Sequence, residues 1–422
     1  MVFTVERLSC GAGLAVAEMP HVPSVAVGLW LGVGGRHEDK RVNGISHFLE
    51  HLLFKGTGKR NALEISEAIE GVGGRLNAFT AEEMTCYYAR ASAKHLPLVL
   101  DVLTDMLRNA NFPAHEIERE RGVITEEIKM YEDHPEQVAM ERLSTLLWPN
   151  HPLGRSLCGS VKTVSSLQQQ DFIDFRDRHY HGGNLWITAA GNTNLREVKE
   201  LLSPLLAGIA GGEPSPYKSG ATRQLQPRIS VVNKPIEQTH VAMALRSVSR
   251  HDPRKFALRL LSVILGENMS SRLFQTIREE HGLAYSVDSS VSYLHDAGTL
   301  SINVGLDSDK LPKALDLIFK ALQVLSINPP SARELHRAKE YTVGQTQLSL
   351  ESTVNQMMWL GDHALGHGRV LDPSKVLGQI EAVTAEEIRQ MAELVTTRRN
   401  LSLSIVSPEL KLGDVEKMVT LG

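Results

Sequence analysis

His47, Glu50 and His51 stand close together in the segment HFLEH. On an α-helix the two histidines, four residues apart, lie one turn apart on the same face, so both imidazoles can reach one metal ion. Glu50 follows His47 by three residues and shares that face, where its carboxylate can polarise a metal-bound water without being a ligand. The same pentapeptide also arises by chance on helices without chemistry, so its meaning depends on the rest of the chain.

A catalytic zinc ion needs a third protein ligand, acidic or imidazole, and one open position for water. The carboxylate-rich segment 114–131, which is predicted to be a helix, is the obvious donor. Its glutamates are Glu116, Glu118, Glu120, Glu126 and Glu127. Glu120 and Glu127 are about two helical turns apart and share one face. Glu126 points about 100° away and is predicted to be a solvated surface charge.

The sequence around these residues predicts the helices and strands that position them. The helix that carries the histidines is predicted from about 44 to 54. Its inward-facing apolar residues are Phe48, Leu49, Leu52 and Leu53. The segment 76–80 is predicted to be extended and to form a hairpin with 85–91, and an amphipathic helix is predicted at 93–110. We therefore expect the histidines to face a cleft while the apolar side of their helix packs inward.

Composition limits the classes of function. The chain has 422 residues, 42% of them hydrophobic, and a net charge of -4, so we expect neither nucleic acid nor an anionic membrane as a partner. Cys10, Cys86 and Cys158 are widely spaced and predict reduced thiols. The amino terminus has no signal-peptide pattern, and no apolar run reaches the roughly 18 residues of a membrane span. These features predict a soluble cytoplasmic protein.

The two halves of the sequence repeat each other. Residues 87–111 match 300–326, with Leu-Pro and Leu-Asp pairs at corresponding positions. A duplication of this period predicts an α+β fold of two homologous domains, each a mainly antiparallel sheet packed with helices. We predict domains at 1–207 and 228–422, joined by a Gly/Pro-rich linker at 208–227. The second half has the apolar run 260–265 where the first has HFLEH, so it is predicted to bind no zinc.

The segment HFLEH, followed at a long interval by ERGVITEE from residue 120, resembles the pitrilysin and insulinase type of zinc metallopeptidase, the inverzincins. The most similar branch is that of mitochondrial processing peptidase and its bacterial relatives. The resemblance implies one zinc ion per chain, held by His47, His51 and Glu127. It implies that Glu50 is the general base and that Glu120 is an acidic residue beside the site.

The resemblance also implies a substrate site. Residues Asn77, Ala78, Phe79 and Thr80 match the strand that pairs with the substrate backbone in the family, although an ordinary edge strand has the same pattern. Arg278 and Tyr285 match a pair that reaches from the second domain to the substrate and donates hydrogen bonds to a carbonyl or an oxyanion. Without the family, a surface salt bridge and a core tyrosine would explain the same two residues.

Together these features predict a zinc-dependent endopeptidase that cuts extended peptides or unfolded segments, enclosed between two domains that face each other as a clamshell. The family branch works as pairs of subunits, so a homodimer is expected, with a heterodimer of related subunits as the alternative. Two other functions fit the same fold. One is a structural subunit without activity, and the other is a module that binds peptides without cutting them.

Overall fold

A computed structural model describes residues 3–421. The strands of the first half are β1 (Phe3–Arg7), β2 (Gly13–Glu18), β3 (Ser24–Leu31), β4 (Arg75–Thr80), β5 (Thr85–Ser92) and β6 (Leu185–Gly191). Those of the second half are β7 (Arg228–Asn233), β8 (Thr239–Ser247), β9 (Ala284–Tyr293), β10 (Gly298–Leu306) and β11 (Leu401–Ser407).

Most of the remaining chain is helical. The helices of the first half are α1 (Ile45–Leu52), α2 (Ala62–Glu70), α3 (Leu96–Asn109), α4 (Ala114–Asp133), α5 (Pro135–Leu147), α6 (Val161–Ser166), α7 (Gln169–His179) and α8 (Leu195–Leu205). Those of the second half are α9 (Lys255–Ser262), α10 (Leu311–Ile327), α11 (Ala332–Ser349), α12 (Thr353–His367), α13 (Pro373–Ala382), α14 (Ala385–Val395) and α15 (Leu412–Met418). Two π-helical segments are Val263–Glu267 and Phe274–Glu280. No helix within residues 3–421 has the length and apolar character needed to cross a membrane.

The strands form two sheets of closely related topology. The first sheet has the order β1-β2-β6-β3-β5-β4 and the second β7-β11-β8-β10-β9. In each sheet one pair is parallel, β2 with β6 and β7 with β11, and the other pairs are antiparallel. The strands β2-β6-β3-β5-β4 of the first sheet therefore correspond in order and direction to the strands β7-β11-β8-β10-β9 of the second. This confirms the predicted α+β fold, in which one pattern occurs twice.

Helices α3 and α10 occupy corresponding places in the two halves. α3 begins at Leu96 and α10 at Leu311, and each has a proline in its first turn. Proline is tolerated there because its missing N–H would have no partner within the helix. The repeated Leu-Pro pair of the sequence thus marks the start of the same helix in both halves.

The structure divides into two compact units that exchange segments of the chain. Of residues 3–421, unit 1 contains 3–129, 155–218 and 347–373, and unit 2 contains the others. Helix α12, from the second half of the sequence, packs on β2, β3 and β6 of unit 1. Helix α5, from the first half, packs on β7, β8 and β11 of unit 2. The division of the sequence into domains 1–207 and 228–422 stays a prediction.

The predicted linker 208–227 contains no helix or strand, and its first part is held on unit 1. The buried guanidinium of Arg36 donates two hydrogen bonds, of 3.1 and 2.9 Å, to the carbonyl of Lys218 and stacks 4.1 Å from the Tyr217 ring. The Ser215 hydroxyl lies 2.7 Å from Nδ1 of His179. These contacts fix the segment in place although it has no regular secondary structure.

Candidate metal centre

Helix α1 carries the segment HFLEH and is capped from outside its own first turn. Its N-cap residue, Gly44, has no side chain to accept a hydrogen bond. The buried carboxylate of Glu38 accepts instead from the backbone N–H groups of Gly44 and Ser46, at 2.8 and 2.9 Å, and from the Asn43 amide at 2.9 Å. Burial raises the pKa of Glu38 and these hydrogen bonds oppose the rise. A negative group at this helix end also interacts favourably with the helix dipole.

Gly44 itself cannot be replaced without cost. Its φ of +97° lies in the left-handed region, and a Cβ there would stand 2.8 Å from the carbonyl oxygen of Cys158. Only glycine adopts this conformation freely. The start of α1, and with it the direction of His47, is therefore set by a glycine and a remote carboxylate.

The structure brings His47, His51 and Glu127 together within unit 1. The imidazole ring centroids are 4.7 Å apart, and Glu127 reaches them from α4. Its Oε2 lies 3.7 Å from Nε2 of His47 and 3.9 Å from Nε2 of His51. One donor atom from each residue falls within 4.8 Å of the other two, and this is the one such group of His, Cys, Asp and Glu found among residues 3–421.

This donor set fits a zinc ion. Ligand atoms about 2.1 Å from one tetrahedral ion are about 3.4 Å apart, slightly less than the distances observed here. Burial lowers the pKa of His47 to about 4, with the charge of His51 adding to the effect, so this imidazole is neutral, the form that binds metal. The fourth tetrahedral position would stay open for water, as catalytic zinc sites require.

Glu120 orients the second histidine. Its Oε2 lies 3.1 Å from Nδ1 of His51, which leaves Nε2 of that ring to face Glu127. Its Oε1 pairs with Nζ of Lys55 at 2.7 Å. Burial alone would raise the pKa of Glu120, but the hydrogen bonds to His51 and Lys55 outweigh it and hold the pKa below its ordinary value. A carboxylate on the far nitrogen of a histidine fixes the ring and its tautomer.

Glu50 lies on α1 between the two histidines and faces β4. Its Oε2 accepts a hydrogen bond of 2.6 Å from the Thr80 hydroxyl. Burial raises the pKa of the Glu50 carboxyl, and the hydrogen bond from Thr80 opposes part of that rise. A carboxyl group with a raised pKa is a better proton acceptor when it is ionised, as a general base near neutral pH requires.

Strand β4 is the outer strand of its sheet, beyond β5. Phe79 turns inward and makes an edge-to-face contact with Trp30, at a centroid distance of 5.7 Å. The Asn77 side chain accepts a hydrogen bond of 2.8 Å from the backbone N–H of Ala78. The segment predicted to pair with substrate is therefore an edge strand next to Glu50.

Two family descriptions match consecutive parts of this chain. Residues 14–161 match "Insulinase (Peptidase family M16)", and residues 166–341 match "Peptidase M16 inactive domain". A curated relative from Bacillus subtilis, the uncharacterized zinc protease YmxG, is 35% identical over 96% of this chain and 98% of its own length. The chain belongs to peptidase family M16. The match to an inactive domain falls mainly on the second half, where the apolar run 260–265 stands in place of HFLEH.

Other M16 relatives agree with this assignment. An uncharacterized zinc protease of Streptomyces coelicolor is 37% identical over 96% of this chain and 90% of its own length. The crystal structure of a protease from Helicobacter pylori has a TM-score of 0.91 at 21% identity, and covers 96% of this chain and 99% of that one. A peptidase M16 inactive domain from Pseudomonas fluorescens has a TM-score of 0.90 at 19% identity, with 97% and 99% covered. At these identities the structural matches establish the fold alone.

The other two predicted site residues of this M16 chain lie in unit 2. Tyr285 is the second residue of β9, the edge strand of its sheet, and its side chain is 78% exposed. Arg278 lies in the π-helical segment Phe274–Glu280, with its guanidinium carbon 5.6 Å from the centre of the Tyr285 ring. The two are neighbours, and Tyr285 is not a core tyrosine. Their predicted role at the zinc stays a prediction.

Sequence analysis missed three contacts of this site. Glu38 as the cap of α1 is not visible in the sequence, because it lies six residues before Gly44, outside the ordinary capping positions. Lys55 lies beyond the end of α1 at Leu52, so helical spacing does not indicate its approach to Glu120. Nothing in the sequence links the Thr80 hydroxyl to Glu50. Glu126, in contrast, is exposed and paired with Lys129, as its direction on the helix indicates.

Proposed function

We propose that this M16 chain is a zinc-dependent endopeptidase that hydrolyses extended peptides or unfolded polypeptide segments. The observation that carries the proposal is the meeting of His47, His51 and Glu127 around one point, with the carboxylate of Glu50 on the same helix as the two histidines. Family membership and the names of the curated relatives support it.

Zinc held by His47, His51 and Glu127 would supply a Lewis acid that polarises the scissile carbonyl and lowers the pKa of water. Glu50 takes the proton of the attacking water and returns it to the leaving amine. Glu120 keeps the imidazole of His51 in one orientation, so that its Nε2 stays directed at the metal position.

Substrate selection follows from the edge position of β4. An extended peptide added beside β4 would be held by main-chain hydrogen bonds, which are the same for any side chains. Such binding favours unfolded segments over folded proteins, since a folded protein has few free strands to offer. Arg278 and Tyr285 would add hydrogen bonds to a substrate carbonyl or to a developing oxyanion. Their support is that they are adjacent and that Tyr285 is exposed.

A homodimer with one zinc per chain is the assembly we propose. One chain contains both the group His47, His51 and Glu127 and the pair Arg278 and Tyr285, so no second type of subunit is needed to supply either. Light scattering during size-exclusion chromatography measures the mass directly. A mass of one chain, or activity that requires a different subunit, contradicts this assembly.

The test of the function separates metal binding from chemistry. Zinc is measured by plasma mass spectrometry, and cleavage with a library of quenched fluorescent peptides. Glu50→Gln should keep about one zinc per chain but lose turnover by roughly a hundredfold to ten-thousandfold, because an amide cannot take the proton. His47→Ala is the companion variant and should lose both zinc and turnover.

The same measurements decide between this proposal and its rivals. A wild-type protein that binds zinc and peptides but cuts none is a peptide-binding module. A protein with neither zinc nor cleavage is a structural subunit. A Glu50→Gln variant within a few-fold of wild type means that another group accepts the proton.

A further inference from the structure

The contact between Thr80 and Glu50 joins two elements with different predicted tasks. Thr80 is the last residue of β4, the edge strand proposed to hold the substrate, and Glu50 lies on the helix with the histidines. Their 2.6 Å hydrogen bond is as short as charge-assisted O–H···O⁻ bonds are. The bond is thus the direct link between the proposed peptide-binding strand and the proposed base.

The two oxygens of the Glu50 carboxylate have different surroundings. Oε2 accepts from Thr80, whereas Oε1 accepts no hydrogen bond from any residue in the range 3–421. The terminal torsion of a glutamate is broad and roughly two-fold, so a carboxylate without partners turns freely. The Thr80 hydroxyl restricts that rotation and leaves one oxygen available to accept a proton.

The register of β4 decides which side chain faces Glu50. Successive side chains of a strand point to opposite faces, and Phe79 is fixed on one face by its contacts with Trp30 and Tyr88. Thr80 therefore falls on the other. The hairpin holds this register, because β4 pairs with β5 from Arg75 opposite Arg90 to Thr80 opposite Thr85. A slip of one residue would remove the hydroxyl from Glu50.

We infer that Thr80 is a positioning residue for the hydrolytic step, whose hydroxyl aims the carboxylate of Glu50 from the strand that holds the substrate. The inference rests on the proposed function, with Glu50 as the base. It assigns the Thr80 side chain a task other than the peptide binding that the sequence indicates for residues 77–80. Strand addition uses the backbone of β4, so the Thr80 hydroxyl is free for this second task.

The test compares a variant that keeps the shape of threonine with one that keeps its hydroxyl. Thr80→Val keeps the shape and removes the hydroxyl, and Thr80→Ser keeps the hydroxyl. Thr80→Val should keep its full zinc content and an unchanged melting temperature. Its kcat should fall by roughly tenfold to a hundredfold, the range expected for losing a hydrogen bond to a charged group. KM should stay within about threefold, because peptide pairing with the backbone is retained. Thr80→Ser should restore kcat to within about threefold of wild type.

A second measurement does not depend on activity. In a crystal structure of Thr80→Val, the Glu50 carboxylate should lose its single orientation, whereas in Thr80→Ser it should keep it. If Thr80→Val does not fold, Thr80→Ala serves for both measurements. An unchanged carboxylate, an unchanged kcat, or a rise in KM alone would each overturn the inference. Wild-type protein without any peptide cleavage refutes the proposed function instead, and the orientation of Glu50 then still tests the contact.

Discussion

The two units contain the same five-stranded pattern but differ in the helix that follows the corresponding strand. After β3, unit 1 has α1 with His47, Glu50 and His51 on one helix. After β8, unit 2 has α9, in which Leu260 and Leu261 are fully buried. α9 then continues as the π-helical segment Val263–Glu267. Corresponding strands are therefore followed by a helix with metal-ligand residues in unit 1 and by a helix with a buried apolar face in unit 2.

The difference extends to the acidic helix. Glu120 and Glu127 are the seventh and fourteenth residues of α4, and the residues at the same positions of α11 are Ala338 and Gln345. Unit 2 thus lacks both the histidines and the carboxylates at the positions that correspond to His47, His51, Glu120 and Glu127. The comparison shows that the fold determines where a site can be, and that a few side chains determine whether it exists.

The largest effect is expected from a substitution that removes one of the differences between unit 1 and unit 2. Glu127→Gln makes α4 resemble α11 at that position and should weaken zinc binding by at least about a hundredfold, more than is typical for residues that only support a ligand. The measurement is competition with a chromophoric chelator. Glu126→Gln is the matched control, because Glu126 is exposed on the same helix and paired with Lys129. Equal zinc affinity in the two variants would contradict the ligand assignment.

A second prediction concerns the exchanged helix α12. A Cβ at Gly361 would stand 1.9 Å from Cε2 of Trp30 in the core of unit 1. Gly361→Ala should therefore lower the free energy of unfolding by about 1–3 kcal/mol through overpacking. Gly344, inside α11, has open space where a Cβ would stand, apart from the backbone of its own helix, so Gly344→Ala should raise the stability by about 0.4–1 kcal/mol. Urea titrations of both variants make the comparison, and a Gly361→Ala protein as stable as wild type would mean that α12 does not pack this closely.

The smallest effect tests whether unit 2 contributes to chemistry. Tyr285→Phe removes one hydroxyl and should lower kcat/KM by at least about tenfold with zinc content unchanged. Tyr341→Phe, on α11 of the same unit, is the control. Its side chain packs against the core of unit 2, so its hydroxyl is expected to matter little. Equal activity of both variants would restrict unit 2 to a supporting role.

Local patterns of the sequence predicted the helix that carries HFLEH, the hairpin of 76–80 with 85–91, and the helices at 93–110 and 114–131, where the structure has α1, β4, β5, α3 and α4. The period of HFLEH places two histidines on one face, and the repeated Leu-Pro pair marks the starts of α3 and α10. Such signals are readable because helix geometry fixes which residues share a face within a few turns. The choice of Glu127 among five glutamates came from the family resemblance. In the structure that carboxylate lies near both imidazoles, and its role as a ligand stays a prediction.

Contacts between residues distant in sequence could be seen only in the folded chain. The exchange of α5 and α12 leaves no local signal, because an amphipathic helix shows that it packs on a sheet but not on which one. The hydroxyl of Thr80 on Glu50 and the pairing of Lys55 with Glu120 depend on the approach of separate elements. Residue types and spacing indicate which side chains are able to bind metal and accept a proton. Folding decided which of them meet, since side-chain contacts follow from the packing of whole helices and strands.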